Sequence, residues 1–283
     1  MIYIGEMSLS IDRHSPALGA EISGLDVSGE ITPDLVDEMH ALLMEHQVIF
    51  VRDFDLSPQK MVELGSQLGT LGARHHSYVT HPDSDDVVVL EWKDDDLPDA
   101  AEWHADMTYR DEPPFATIVK AVVIPPVGGD TLWASMYSVY DSLPEGMKAD
   151  LAKLEAVHDM GAFRTPAYRE GGNDGILDAY ASAKTAVHPM VAHHPITGRP
   201  YLNVSESFTR FIIGMSAPEA GRLLTELFDR INRPEHHVRL RWKPNTLAIW
   251  DNRGTQHYAV VDYLPHRRVL HRVAIVDDAR QSV

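Results

Sequence analysis

The chain has 283 residues, 44% of them hydrophobic and 24% charged, an ordinary globular composition that excludes disorder, collagen-like repeats and coiled coil as its organising principle. Twenty-five Lys and Arg against 42 Asp and Glu leave a formal net charge of −17; this disfavours nucleic acid and anionic lipid as partners and admits a small anion only where local arginines hold it. There is no cysteine, so disulfides, thiolate zinc sites, iron–sulfur clusters and cysteine nucleophiles are excluded, and any metal falls to Asp, Glu or one of the 16 His.

Met1 to Ala20 carries no basic region followed by an apolar run, so no signal peptide is expected. No apolar stretch approaches the roughly 18 residues of a membrane span, and the expectation is a soluble cytoplasmic protein. Thr32-Pro33 predicts a helix start, with Leu35, Met39, Leu42 and Leu43 on one face. Val48–Val51 reads as a strand. Ser57-Pro58 opens a second helix with Met61, Leu64 and Leu68 along one side. Strands are expected at Val87–Glu91 and Ile118–Ile124, separated by a Pro- and Asp-rich loop at Lys93–Glu102. A second loop is read at Thr165–Gly175, then a strand at Val187–His193. Ser216-Ala217-Pro218-Glu219 is a capping-box pattern ahead of Leu223, Leu224, Leu227, Phe228 and Ile231. Four more strands follow at Val238–Trp242, Thr246–Trp250, His257–Val261 and Arg268–Val276. Strands spread along the chain with helices between them argue against a regular parallel βαβ sheet and for a β-sandwich or jelly roll decorated by helices, as one domain over residues 1–283.

Three stretches carry chemistry. In an extended segment residues i and i+2 share a face, so His104 and Asp106 of Trp103-His104-Ala105-Asp106 present ligand atoms to one point. Taken alone the pair also fits a surface His beside an Asp. Trp250-Asp251-Asn252-Arg253-Gly254-Thr255-Gln256-His257 is a strand ending in a polar turn, with His257 just beyond; alone it fits a hydrogen-bonded turn histidine. Together the three residues have the composition of a 2-His-1-carboxylate facial triad, which leaves open positions on Fe(II) for a co-substrate and O₂. In Arg268–Ile275 the alternation puts Arg268, Leu270, Arg272 and Ala274 on one face and Val269, His271, Val273 and Ile275 on the other. Two arginines about 13 Å apart on one face suit two anionic groups in one cavity, or an exposed basic face on an edge strand.

The combination resembles the Fe(II)/2-oxoglutarate-dependent dioxygenases of the taurine dioxygenase family. The matching segments include Gly19–Gly24, Trp103–Asp106, Gly128–Trp133, Ile249–Arg253, Thr255–Ala259 and Asp262-Tyr263 onward to Ile275. The resemblance implies a mainly β chain with helices, its core a double-stranded β-helix (jelly roll, cupin-like) flanked by α-helices. It implies His104, Asp106 and His257 as iron ligands and catalytic residues, and Arg268 with Thr131 on the distal carboxylate of 2-oxoglutarate. It implies Arg272 and His75 on a substrate sulfonate, the backbone N–H at Met107 as a further contact, and Tyr78, Phe208 and Phe163 as pocket residues. The implied reaction hydroxylates the carbon next to a sulfonate. With taurine, the first expected substrate, it releases sulfite and aminoacetaldehyde alongside succinate and CO₂, with ascorbate as a helpful additive. A homo-oligomer, dimer or tetramer, is also implied. One position departs from the pattern: Ala100 stands where the taurine enzymes carry Asn, and a carboxylate of the acidic loop (Asp94, Asp95, Asp96, Asp99, Glu102) is the candidate replacement. The same chemistry on an alkyl sulfate, another alkanesulfonate or an aryloxyalkanoate stays open. So does a non-redox jelly-roll metal protein such as a zinc hydrolase, in which Arg268 and Thr131 have no task.

Overall fold

Thr32 and Ser57 both act as helix caps. In the computed structural model, which describes residues 9–25, 30–72, 78–94, 101–160 and 185–281, the Thr32 hydroxyl accepts from Leu35 N at 3.3 Å and the Ser57 hydroxyl from Lys60 N at 3.2 Å. They satisfy N–H groups that the first turn leaves open and start α1 (Pro33–His46) and α2 (Pro58–Leu68). Among the described residues the other α-helices are α3 (Met136–Asp141), α4 (Glu145–Leu151) and α5 (Ala217–Ile231), the last begun by the Ser216/Glu219 capping box.

The strands before the first site segment are β1 (Ser10–Arg13), β2 (Ala20–Ser23), β3 (Val48–Val51), β4 (Thr80–His81) and β5 (Ser84–Trp92). Those that follow are β6 (Ala116–Val123), β7 (Thr131–Ser135), β8 (Glu155–His158), β9 (Ala186–Pro189), β10 (Val191–His193), β11 (Pro200–Leu202) and β12 (Thr209–Ile212). The last four are β13 (His237–Leu240), β14 (Leu247–Asp251), β15 (Thr255–Ala259) and β16 (Arg268–Ile275). An eight-stranded sheet runs β1-β2-β3-β14-β6-β16-β5-β4 and faces a three-stranded sheet β13-β7-β15. Among the described residues, only β2 and β3 of the large sheet pair in parallel. Two helix-flanked sheets closing on one core form the expected jelly roll.

Period-two alternation assigns each side chain its layer. Ile49, Ile118, Ile249, Val273 and Ile275 face outward and are covered by Met39 and Leu43 of α1 and Met61, Leu64 and Leu68 of α2. Their neighbours Val48, Phe50, Val119, Ala248 and Leu270 face inward against Trp133, Val238 and Leu240 of the small sheet. Beyond the small sheet, α3 and α5 close a third apolar layer around Met136, Tyr137, Leu202, Leu224 and Leu227.

One sequence reading is amended, and one alternative is closed. Val187–His193 is not one strand: β9 pairs with β8, β10 pairs with β11, and the chain changes sheet at Pro189-Met190. Pro189 has no N–H for a ladder, and Met190 N donates to Leu154 O instead. β16 is not an edge strand, for it lies between β6 and β5; its arginine face is therefore turned into the molecule. The Thr165–Gly175 loop lies outside the described residues.

Candidate active site

The segment between β5 and β6 meets β15, the strand after β14, main chain to main chain. His104 N donates to His257 O at 3.1 Å and His257 N to His104 O at 2.8 Å, an isolated antiparallel bridge on the side of β15 away from β7. This exchange places both imidazoles on one side, their centroids 4.1 Å apart. Asp106, two residues on, shares the face. Nε2 of His104 and of His257 each lie 3.9 Å from Asp106 Oδ1. The three donors gather within 4.8 Å of one another, and all three residues are buried.

Their protonation suits a cation. The Nδ1 of His104 lies 2.8 Å from the Glu102 carbonyl; a carbonyl only accepts, so Nδ1 carries the hydrogen and Nε2 keeps its lone pair for the shared point. Burial, reinforced by the neighbouring His104, draws His257 down to about 3, so its imidazole is neutral at physiological pH. Burial works against the Asp106 carboxylate, but Arg272, both histidines and the Thr117 hydroxyl at 3.0 Å outweigh it and hold the carboxyl far below its usual range. Two imidazoles and an ionised carboxylate on one side of a point are the donor set of a facial triad, and they fit Fe(II).

The triad sits in the wall of a cavity between the two sheets, with about 930 Å³ of empty space counting its mouth. Arg268 is 2% exposed; its Nε donates to Gly129 O at 3.0 Å and its Nη2 to Thr131 Oγ1 at 3.3 Å. Burial lowers it to about 10, which leaves it fully charged at neutral pH. Trp242 Nε1 also donates to Thr131 Oγ1, at 2.9 Å. Arg272, four residues further along the same strand face, puts Nη1 3.6 Å from Asp106 Oδ1 and its guanidinium over the Tyr78 ring. Met107, in the left-handed region at φ 54°, turns its side chain onto Tyr109, Met160 and Phe208.

Nine of the sequence-derived site residues thus line one cavity: His104, Asp106, His257, Thr131, Arg268, Arg272, Tyr78, Met107 and Phe208. His75, Phe163 and Ala100 lie outside the described residues. The sequence reading assigned no role to Thr117, Trp242, Tyr109, Ser207 or Asn252. Asn252 was in a quoted motif, and only the fold shows what it touches.

A jelly roll holding two imidazoles, a carboxylate and two buried arginines in one cavity defines the class of facial-triad oxygenases. Residues 10–274 match the family described as "Taurine catabolism dioxygenase TauD, TfdA family", and the chain belongs to it. It is similar to an alkylsulfatase of Acinetobacter baylyi, at 34% identity covering 95% of this chain and 86% of that one. An alpha-ketoglutarate-dependent sulfate ester dioxygenase of Pseudomonas putida is 32% identical, with 98% and 93% covered. Among solved structures, a putative alpha-ketoglutarate-dependent taurine dioxygenase from Burkholderia xenovorans superposes with a TM-score of 0.82, at 30% identity over 96% of this chain and 93% of that one. The chain is a dioxygenase dependent on 2-oxoglutarate, the same compound as alpha-ketoglutarate.

Proposed function

We propose that the enzyme hydroxylates the carbon next to a sulfo group, its substrate an alkyl sulfate ester or alkanesulfonate with an apolar tail. Fe(II), held by His104, Asp106 and His257, supplies with 2-oxoglutarate the activation of O₂ for insertion into a C–H bond. The carrying observation is the pair of buried arginines on one face of β16, one beside Thr131 and one beside Asp106.

Each has its own anion. Thr131 Oγ1 already accepts from Arg268 and Trp242, groups that only donate. Its own hydrogen is therefore free to donate to a carboxylate oxygen that Arg268 neutralises. Arg272 brings its charge to the metal-binding side, where it can hold a sulfo group with the adjacent carbon at the reacting position. His75 and Phe163 keep the sulfonate and pocket roles implied by resemblance. The tail would lie along Tyr78, Leu90, Met107, Tyr109 and Phe208. A sulfate ester hydroxylated at its carbon collapses to an aldehyde and sulfate; a sulfonate gives an aldehyde and sulfite.

Taurine is the second reading. Ser207 lines the cavity and donates to Glu102 Oε2 at 3.3 Å, so a carboxylate stands near the wall to receive an ammonium. The relatives that act on sulfate esters support the first reading, as does the lining, whose only acid among the described residues is Asp106. No described helix is long and apolar enough to cross a membrane. A single domain acting as a homo-oligomer on a small soluble anion, in the cytoplasm and aided by ascorbate, completes the proposal.

The test supplies Fe(II), ascorbate and either hexyl sulfate, hexanesulfonate or taurine, with and without 2-oxoglutarate. Sulfate or sulfite release from the hexyl compounds that requires 2-oxoglutarate is expected. Release from taurine alone selects the second reading, and no release from any of them refutes both.

A further inference from the structure

The main-chain bridge between His104 and His257 stops at that one pair. Asp106, the third donor, therefore lies past the end of the ladder, just before the left-handed turn at Met107. The side chain of Asn252 takes the place of the missing strand. Its Oδ1 accepts from Asp106 N at 2.7 Å, and its Nδ2 donates to Asp106 O and to Pro114 O, each at 3.0 Å. The amide thus pairs with both main-chain polar groups of Asp106 as a neighbouring peptide would. Both its donors and its acceptor are used, in a residue 2% exposed. The backbone of Asn252 is pinned in turn, for its N–H donates to Phe115 O at 2.8 Å. The flanking Asp251 is fixed by the buried His194 at 2.6 Å.

We infer that Asn252 is a positioning residue for the metal site: it holds the Asp106 main chain so that the carboxylate meets the imidazoles of His104 and His257. The inference rests on the assignment of those three residues as metal ligands. Asn252 touches none of the three donor atoms. It acts on where one of them stands, and that placement sets metal affinity and ligand geometry. No other side chain of similar size supplies both functions. Aspartate keeps the acceptor but turns both donors into an oxygen facing two carbonyls. Alanine removes everything.

The experiment titrates the metal-free full chain with Co(II), following affinity by calorimetry and geometry by the visible d–d bands, for wild type, Asn252→Asp, Asn252→Ala and His194→Gln. His194→Gln loosens the same turn through Asp251 without touching Asp106. The Asn252 variants should bind Co(II) about 10–100-fold more weakly with altered bands. His194→Gln, even where it lowers the melting temperature equally, should stay within about threefold of wild type with unchanged bands. Wild-type affinity and spectrum in the Asn252 variants, or an equal loss in His194→Gln, overturns the positioning role while leaving the ligand assignment intact. Failure of wild type to bind Co(II) overturns the ligand assignment itself. Hydrogen exchange on metal-free wild type decides the matter even if the variants do not fold: the Asp106 amide should be strongly protected, and exchange at the rate of an exposed loop amide overturns the inference.

Discussion

Trp242→Phe removes a single hydrogen bond at Thr131, the hydroxyl proposed to hold the co-substrate carboxylate, and keeps most of the ring. Trp242 is buried and donates to Thr131 Oγ1 at 2.9 Å. Together with Arg268 it occupies the acceptor capacity of that hydroxyl and so directs the hydroxyl hydrogen into the cavity. Loss of the indole N–H frees one lone pair, and the hydroxyl rotates among orientations that no longer all face the ligand. A neutral hydrogen bond contributes about 0.5–1.5 kcal/mol, which at about 1.4 kcal/mol per tenfold corresponds to a rise of roughly 2- to 12-fold in the KM for 2-oxoglutarate. Thr131→Val removes the donor outright and orphans two N–H groups; at about 1.5–3 kcal/mol for a bond to a charged group the rise becomes roughly 10- to 150-fold. The assay is succinate formation at saturating sulfo substrate, with kcat expected within about twofold of wild type. Because Trp242 acts through Thr131, Trp242→Phe should add nothing in a Thr131→Val background. An equal further loss in that background, or a KM effect on the sulfo substrate instead of 2-oxoglutarate, refutes the reasoning.

His104→Ala and Asp106→Ala should each abolish Fe(II)-dependent turnover, and full activity in either would sink the triad. Arg272→Ala should raise the KM for the sulfo substrate far more than that for 2-oxoglutarate; the reverse pattern in the same assay would mean the two arginines have exchanged roles. His158 is fully buried between the hydroxyls of Thr108 and Thr209, and burial, with His188 and Arg210 nearby, draws it down to about 3. Its folded pKa lies below its unfolded one, so stability is complete above about pH 6.5 and is lost as the pH falls toward 3, roughly 2 kcal/mol of it by pH 5. Urea titrations of the metal-free protein between pH 5 and 8 should show a shallower slope for His158→Gln, and identical slopes would disprove the assignment. A Cβ on Gly254 would meet the Tyr137 ring, so Gly254→Ala should cost about 1–3 kcal/mol by overpacking, partly recovered in a double variant with Tyr137→Leu; no loss in urea titration would contradict the packing.

What the sequence disclosed and what it withheld divide along physical lines. Thr32, Ser57 and Ser216 marked helix starts because a cap bonds within its own first turn, so the signal is local. Arg268 and Arg272 were legible as one face because strand period is two wherever the strand lies. The sequence could not say whether that face was core or edge; the strand order decides it. The short helices α3 and α4 carry little periodicity to detect. Asn252 and Trp242 were opaque for another reason. Each acts through partners more than a hundred residues away in sequence, Asp106 and Thr131, and an Asn or Trp in a strand or turn has no local mark of its partner.

The placement of β16 bears on how the enzyme is made. Its two sheet neighbours, β5 and β6, are synthesised long before it. At about 5–20 residues per second they wait on the order of ten seconds with the edges that will receive β16 unpaired, and such edges template wrong associations. The strand that ends this exposure is the one bearing Arg268 and Arg272, so the two cavity arginines enter the fold in the same event that completes the sheet. A nascent chain has no half-built cavity in which to hold co-substrate. The strand order that leaves two edges unpaired during synthesis is thus the one that brings both cavity arginines in last.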